Sequence, residues 1–128
     1  MQDSADSLWN RFGEEAGLRK IVDDFVTAVI TDPLVNYTRG GRFKLDEKKI
    51  AVTKQETFEF LSQAIGGPYR YSGRTLSEIH EGMRISDPEF DASTAHFKKT
   101  LEKNGVDLPA VEVAMRMAEA TRSLIVEA

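Results

Sequence analysis

Cysteine is absent from the 128 residues. That removes disulfides, iron–sulfur clusters, thiolate metal sites, thiol nucleophiles and thioether-linked cofactors together. Histidine is nearly absent too: His80 and His96 are the only two, so any imidazole chemistry falls to one of them. No apolar run approaches the roughly 18 residues a membrane span needs. A basic excess is lacking, with 17 Lys and Arg against 21 Asp and Glu and a formal charge of −4, which argues against a nucleic-acid partner. The opening Met1-Gln2-Asp3-Ser4-Ala5-Asp6 is acidic and polar and does not read as a signal peptide. A cytoplasmic protein is expected, with residues 1–6 a flexible lead-in. What remains, 41% apolar and 30% charged, is a globular balance for one domain over residues 1–128.

Glycine and proline are few and clustered. Pro33 with Gly40-Gly41, Gly66-Gly67-Pro68 with Gly73, Gly82 with Pro88, and Gly105 with Pro109 cut the chain into segments. Between these marks the apolar spacing is helical. Leu18, Val22, Phe25 and Val29 form one stripe over 15–31, flanked by Ile21 and Val26, wide enough for contact on more than one side. Phe90, Thr94, Phe97 and Leu101 repeat over 87–104, and Ala114, Met117, Ala118, Thr121, Leu124 and Ile125 over 108–126. Ser86 with Glu89 and Thr75 with Glu78 read as capping boxes, with Pro88 suited to a first helical turn. No segment alternates long enough for a strand. The spacing predicts an all-α domain of five or six helices, with loops over 32–45 and 66–74.

Two helices carry unusual polar residues. In the short helix from Thr75 to about Gly82, Leu76, His80 and Met83 share a face at i, i+4 and i+7, with Ile79 beside them. Burying an imidazole there without a partner costs about 1–3 kcal/mol. Either the ring bonds a backbone carbonyl, as buried histidines commonly do, or it is an axial ligand to a haem iron walled by those apolar groups. In the long helix from about Asp46 to Ile65, Thr53 and Thr57 lie on the stripe of Ile50, Leu61, Ala64 and Ile65, which is expected to be buried. Such threonines either bond back to the preceding turn or present two hydroxyls to a small polar ligand. His96 lies well off its helix's apolar stripe and is expected to face solvent.

The remaining chemistry is sparse. The segments 39–44 and 69–74 are basic, glycine-containing loops flanking the long helix; either could hold anionic groups, and ordinary solvated charge is the simpler reading. Neither is a phosphate loop. No nucleophile elbow appears, and the two histidines lack a zinc-site spacing.

Taken together, these residues resemble the truncated globins, most closely their group I branch, from about Leu8 to Ile125. The resemblance rests on Val22-Asp23-Asp24-Phe25, Phe60 through Pro68 with its Gly-Gly-Pro, Tyr71-Ser72-Gly73-Arg74, Ile79 through Ile85 containing His80, and Phe90-Asp91. It implies a two-on-two helical sandwich around a non-covalent haem b, with His80 as the proximal iron ligand. Phe25 matches an aromatic of the distal side and Tyr37 the aromatic that wedges the haem, while Thr53 and Thr57 match distal positions facing the gas. Val26, Leu61, Tyr71, Arg74, Leu76, Ile79, Met83, Ile85 and Phe90 complete the expected haem surroundings. Two departures stand out. Val26 occupies the place of the family's distal tyrosine, and Gly13-Glu14 replaces a Gly-Gly pair before the second helix.

The resemblance implies a haem protein binding a diatomic gas (oxygen, nitric oxide or carbon monoxide) at ferrous iron. The alternatives are a nitric oxide dioxygenase fed by an external reductase and a cofactor-free helical interaction module. A distal hydroxyl would favour a gas that gathers negative charge, by about 1.5–3 kcal/mol; with valine at residue 26, that task falls to Thr53, Thr57 or Tyr37.

Overall fold

The computed structural model describes residues 7–127. Seven helices follow one another: α1 Leu8–Arg11, α2 Glu14–Thr31, α3 Glu47–Ala64, α4 Leu76–His80, α5 Asp87–Lys103, α6 Leu108–Glu119 and α7 Arg122–Ile125. Among the described residues no strand forms, only a single parallel bridge between Ile85 and Val126. The domain is all-α, as expected, with α2 at its centre. It packs on both α3 and α5, and α5 in turn packs on α6. The wide stripe of α2 explains this placement: Leu18, Ile21, Val22, Val26 and Val29 are all buried.

Helix starts follow the local signals. Ser86 and Thr75 each form a complete capping box, with Glu89 and Glu78 as third-position partners, and Asp46 and Asp107 cap α3 and α6 through Lys49 and Ala110 N–H. Before α2, both Gly13 (φ 96°) and Glu14 (φ 59°) take left-handed backbone, so Glu14 adopts the conformation a second glycine would favour.

Three expectations are corrected. The helix foreseen over 108–126 breaks at Ala120–Thr121. There the Thr121 hydroxyl and N–H both donate to Ala118 O, and Arg122 turns toward α5 to pair with Asp87, Asp91 and Glu119 while covering the Phe90 ring at 4.6 Å. The face of α3 that enters the core is carried by Phe58 and Ser62, with Ile65 just beyond. Ala64 is exposed, while Ile50, Thr53, Thr57 and Leu61 are only half-buried. His96 does not face solvent: its Nε2 lies 2.6 Å from Asp32 Oδ2, because Asp32 closes the C-terminus of α2 directly across from it. The expected flexible lead-in, 1–6, lies outside the described residues.

The Gly66-Gly67-Pro68 segment is a packing device. A Cβ on Gly67 would collide with the Trp9 indole and with Ser62 Oγ, and the Gly67 N–H donates to Ser62 O at 2.7 Å. Ser62 is fully buried and accepts from the Tyr69 N–H at 3.1 Å. We expect Gly67→Ala to lower stability by about 1–3 kcal/mol, the usual cost of overpacking, read as a lower urea midpoint at unchanged slope.

Candidate functional site

Helix α4 has only five residues, too few to hold itself in water. Its start is fixed by the Thr75–Glu78 box, whose carboxylate is held below its usual range first by the Thr75 N–H and then by the Thr75 hydroxyl. At its end, His80 Nδ1 lies 2.8 Å from Leu76 O. A carbonyl can only accept, so Nδ1 carries the proton, and in the neutral ring Nε2 keeps its lone pair. Among the described residues nothing bonds to Nε2. Leu76, Ile79 and Met83 are half-buried around the ring.

The half-buried face of α3 carries the other candidate residues. Burial raises the pKa of the Tyr37 phenol above its usual value, helped by Glu56 and opposed by the neighbouring Thr53 hydroxyl. Tyr71 is raised first by burial and next by Glu56, with Glu78 also contributing, so its hydroxyl senses carboxylates from both α3 and α4. Its ring stands edge-on to Phe60 at 5.7 Å. A Cβ on Gly73 would strike that ring, so the 71–74 loop folds closely over it. Arg74 is exposed, near enough to Tyr71 and Glu78 to bias both.

The structure therefore groups Tyr37 with Thr53, and places Tyr71 within electrostatic reach of both α3 and α4, which carries Leu76, Ile79 and His80 with Met83 just beyond. Leu61 packs partly on the core. Phe25 is half-buried, its ring edge-on to Phe97 at 5.4 Å. Val26 is only 2% exposed and belongs to the core, so it supplies packing and no hydrogen-bond donor. Phe90 is buried beneath Arg122, and Ile85 is drawn into its bridge with Val126. Thr57 stays half-buried on the same face of α3 as Thr53.

Two residues important to this region carry no local sequence signal. Arg39 lies in the basic loop read as a solvated or anion-holding segment. Instead its guanidinium pairs with Glu89 at 2.9 Å and donates to Met83 O and Arg84 O at 3.0 Å each. Glu127 bonds the N–H groups of Gly82 and Arg84 at 3.0 and 2.6 Å. Their partners lie 44 to 50 positions away for Arg39 and 43 to 45 for Glu127, beyond any motif window.

The donor set fits a haem. Among the described residues no three His, Asp or Glu side chains converge as a metal site. A lone imidazole of fixed tautomer with apolar sequence neighbours instead suits a metal whose remaining ligands come with its own apolar macrocycle.

Comparisons with known proteins give the family and the fold. Residues 7–127 match the family model for bacterial-like globins, and the chain belongs to that family. Within it the chain groups with the group I truncated haemoglobins. The group 1 truncated haemoglobin of Tetrahymena pyriformis is 29% identical over 116 residues, covering 91% of each chain. The crystal structure of its Fe(III) form superposes with a TM-score of 0.83 at 24% identity, over 96% of this chain and all of that one, a likeness in fold. The haemoglobin of Chloroflexus aurantiacus gives 0.76 at 30% identity, over 94% of this chain and 98% of its own. The two-on-two globin sandwich is thus the fold of this chain.

The Arg39–Glu89 pair also makes a stability prediction. Burial pushes the Glu89 carboxyl up, but the Ser86 N–H, Asn36 and Arg39 outweigh it and hold it below the usual range. A depressed folded value contributes stability above the ordinary glutamate value of about 4.3 and loses it as pH falls through the folded one. Arg39→Met is therefore expected to cost about 1–3 kcal/mol at neutral pH. It should also flatten the loss of stability between about pH 5 and pH 3, measured by urea titrations across that range.

Proposed function

We propose that this globin binds haem b non-covalently and uses it to bind a diatomic gas, with His80 Nε2 as the proximal ligand to iron. One observation carries the reading: the Leu76 carbonyl holds the proton on Nδ1 and leaves Nε2 with its lone pair and no bonded partner among the described residues. When bound, the haem supplies the iron at which the gas coordinates. Leu76, Ile79 and Met83 then exclude water from the proximal side. Thr53 and Tyr37, whose hydroxyls neighbour each other, offer the hydroxyls that Val26 does not. With no cysteine in the chain and His96 engaged by Asp32, neither is left to tether the haem covalently.

Hydroxyl donors favour a ligand that gathers negative charge, which places oxygen ahead of carbon monoxide. Turnover of nitric oxide to nitrate at the same site requires a separate reductase; repeated turnover in the presence of one would distinguish it from simple binding.

Absorption spectra of the ferric, ferrous and carbon monoxide forms test the assignment. The wild type is expected to take up haem with a Soret band. His80→Ala is expected to bind it at least about tenfold more weakly, with partial rescue by added imidazole. Tyr37→Phe and Thr53→Ala are each expected to speed oxygen release by roughly three- to tenfold, equivalent to about 0.7–1.4 kcal/mol. A wild type without a Soret band would leave the cofactor-free reading.

A further inference from the structure

The turn that follows His80 is gripped from both sides. Gly82 (φ 81°) and Arg84 (φ 55°) are left-handed, and Arg84 is a residue for which that conformation is costly. Backbone N–H groups clustered in such a turn form a concavity that suits an anion. The Glu127 carboxylate occupies it, one oxygen on each N–H. The Arg39 guanidinium meanwhile takes the carbonyls of Met83 and Arg84. Donors and acceptors of one three-residue turn are thus held by opposite charges from two distant segments. Glu127 is itself fixed: its N–H donates to Ile85 O at 3.0 Å, beside the Ile85–Val126 bridge, and α7 packs on α4. The turn connects directly back to the histidine through Met83 N–H donating to His80 O at 3.1 Å.

We infer that Glu127 and Arg39 are positioning residues for His80, setting the direction of its Nε2 and hence the strength of the proximal bond; this rests on the haem reading above. A helix of five residues cannot aim an imidazole by itself. Thr75 and Glu78 fix where α4 begins, and Leu76 O sets the ring relative to the helix axis. The tilt of the axis is then fixed by whatever holds its far end, the 82–84 turn. Glu127 does this by accepting and Arg39 by donating, so each can be removed separately.

Three measurements on the full chain test the inference: amide exchange at Gly82 and Arg84 without haem, the iron–histidine stretching band of the ferrous haem form, and the rate of haem loss. Glu127→Gln, which leaves one acceptor oxygen, is expected to free one of the two amides. Glu127→Ala is expected to free both, shift and broaden the iron–histidine band, and speed haem loss by about tenfold. Glu127→Gln should fall between the wild type and the alanine variant. Arg39→Met should shift the band while leaving both amides protected. If the amides are freed yet band and haem loss match the wild type in all three variants, the grip is structural only and the inference fails. Unchanged amide exchange in Glu127→Ala would equally overturn it. A wild type that binds no haem would remove the function first and this inference with it.

Discussion

Helix α2 is buried over one wide face, and the rest of the domain accommodates that. Leu18, Ile21, Val22, Val26 and Val29 are each worth about 1.5–3 kcal/mol when taken out of water, and one partner helix could not cover them all. α3 and α5 therefore share the wide face of α2, and α6 packs on α5. Because α3 spends only the Phe58 and Ser62 face on this contact, its second face is left facing elsewhere, half-buried and partly hydroxylated. A packing constraint at the centre of the fold thus creates the wall of the candidate site.

The opposite wall is built by different physics. α3 has 18 residues and a packed face, whereas α4 has five residues and none fully buried. What holds α4 is a sequence of directional bonds: a capping box before it, a ring-to-carbonyl bond within it and two side chains of opposite charge after it. Each hydrogen bond contributes only about 0.5–1.5 kcal/mol net, more where a charge takes part, but each fixes an angle. Hydrophobic burial, being non-directional, could keep α4 in place without aiming anything. A site that must direct one nitrogen lone pair is better served by bonds than by packing.

The sequence made the fold class and the helices with clean punctuation legible. The capping residues Ser86, Thr75 and Asp46 carry short-range signals, and the structure uses them as such. His80 was legible for the same reason: a polar ring on an otherwise apolar face breaks a local pattern. Both readings open at that stage are compatible, since the ring bonds a carbonyl through one nitrogen and keeps the other. The face of α3 was misassigned because two stripes coexist on that helix, and apolar spacing cannot say which of them meets another helix. His96 was misjudged because Asp32, 64 residues earlier, is brought to it only by tertiary packing. Arg39 and Glu127 were invisible as structural elements for the same reason: the groups they satisfy are backbone atoms, identical in every residue type.

Tyr37 shows how these long-range bonds reach the site. It lies in an irregular segment where Asn36 and Arg39 both have left-handed backbone, a conformation costing roughly 1–2 kcal/mol per residue. Free loops avoid such costs, so the bonds on either side must offset them. Before the tyrosine, Asp32 is tied to His96, which holds its carboxyl below the usual range, and to the Leu34 N–H. Around it, Asn36 and Arg39 both bind Glu89. The segment is thus pinned to α5 on both sides of Tyr37, whose hydroxyl is held near Thr53. Glu89 also caps α5, and Arg39 also grips the turn after His80, so the two walls of the site share the same pair of charges. The same pair is therefore bonded both to the segment carrying Tyr37 and to the turn that follows His80.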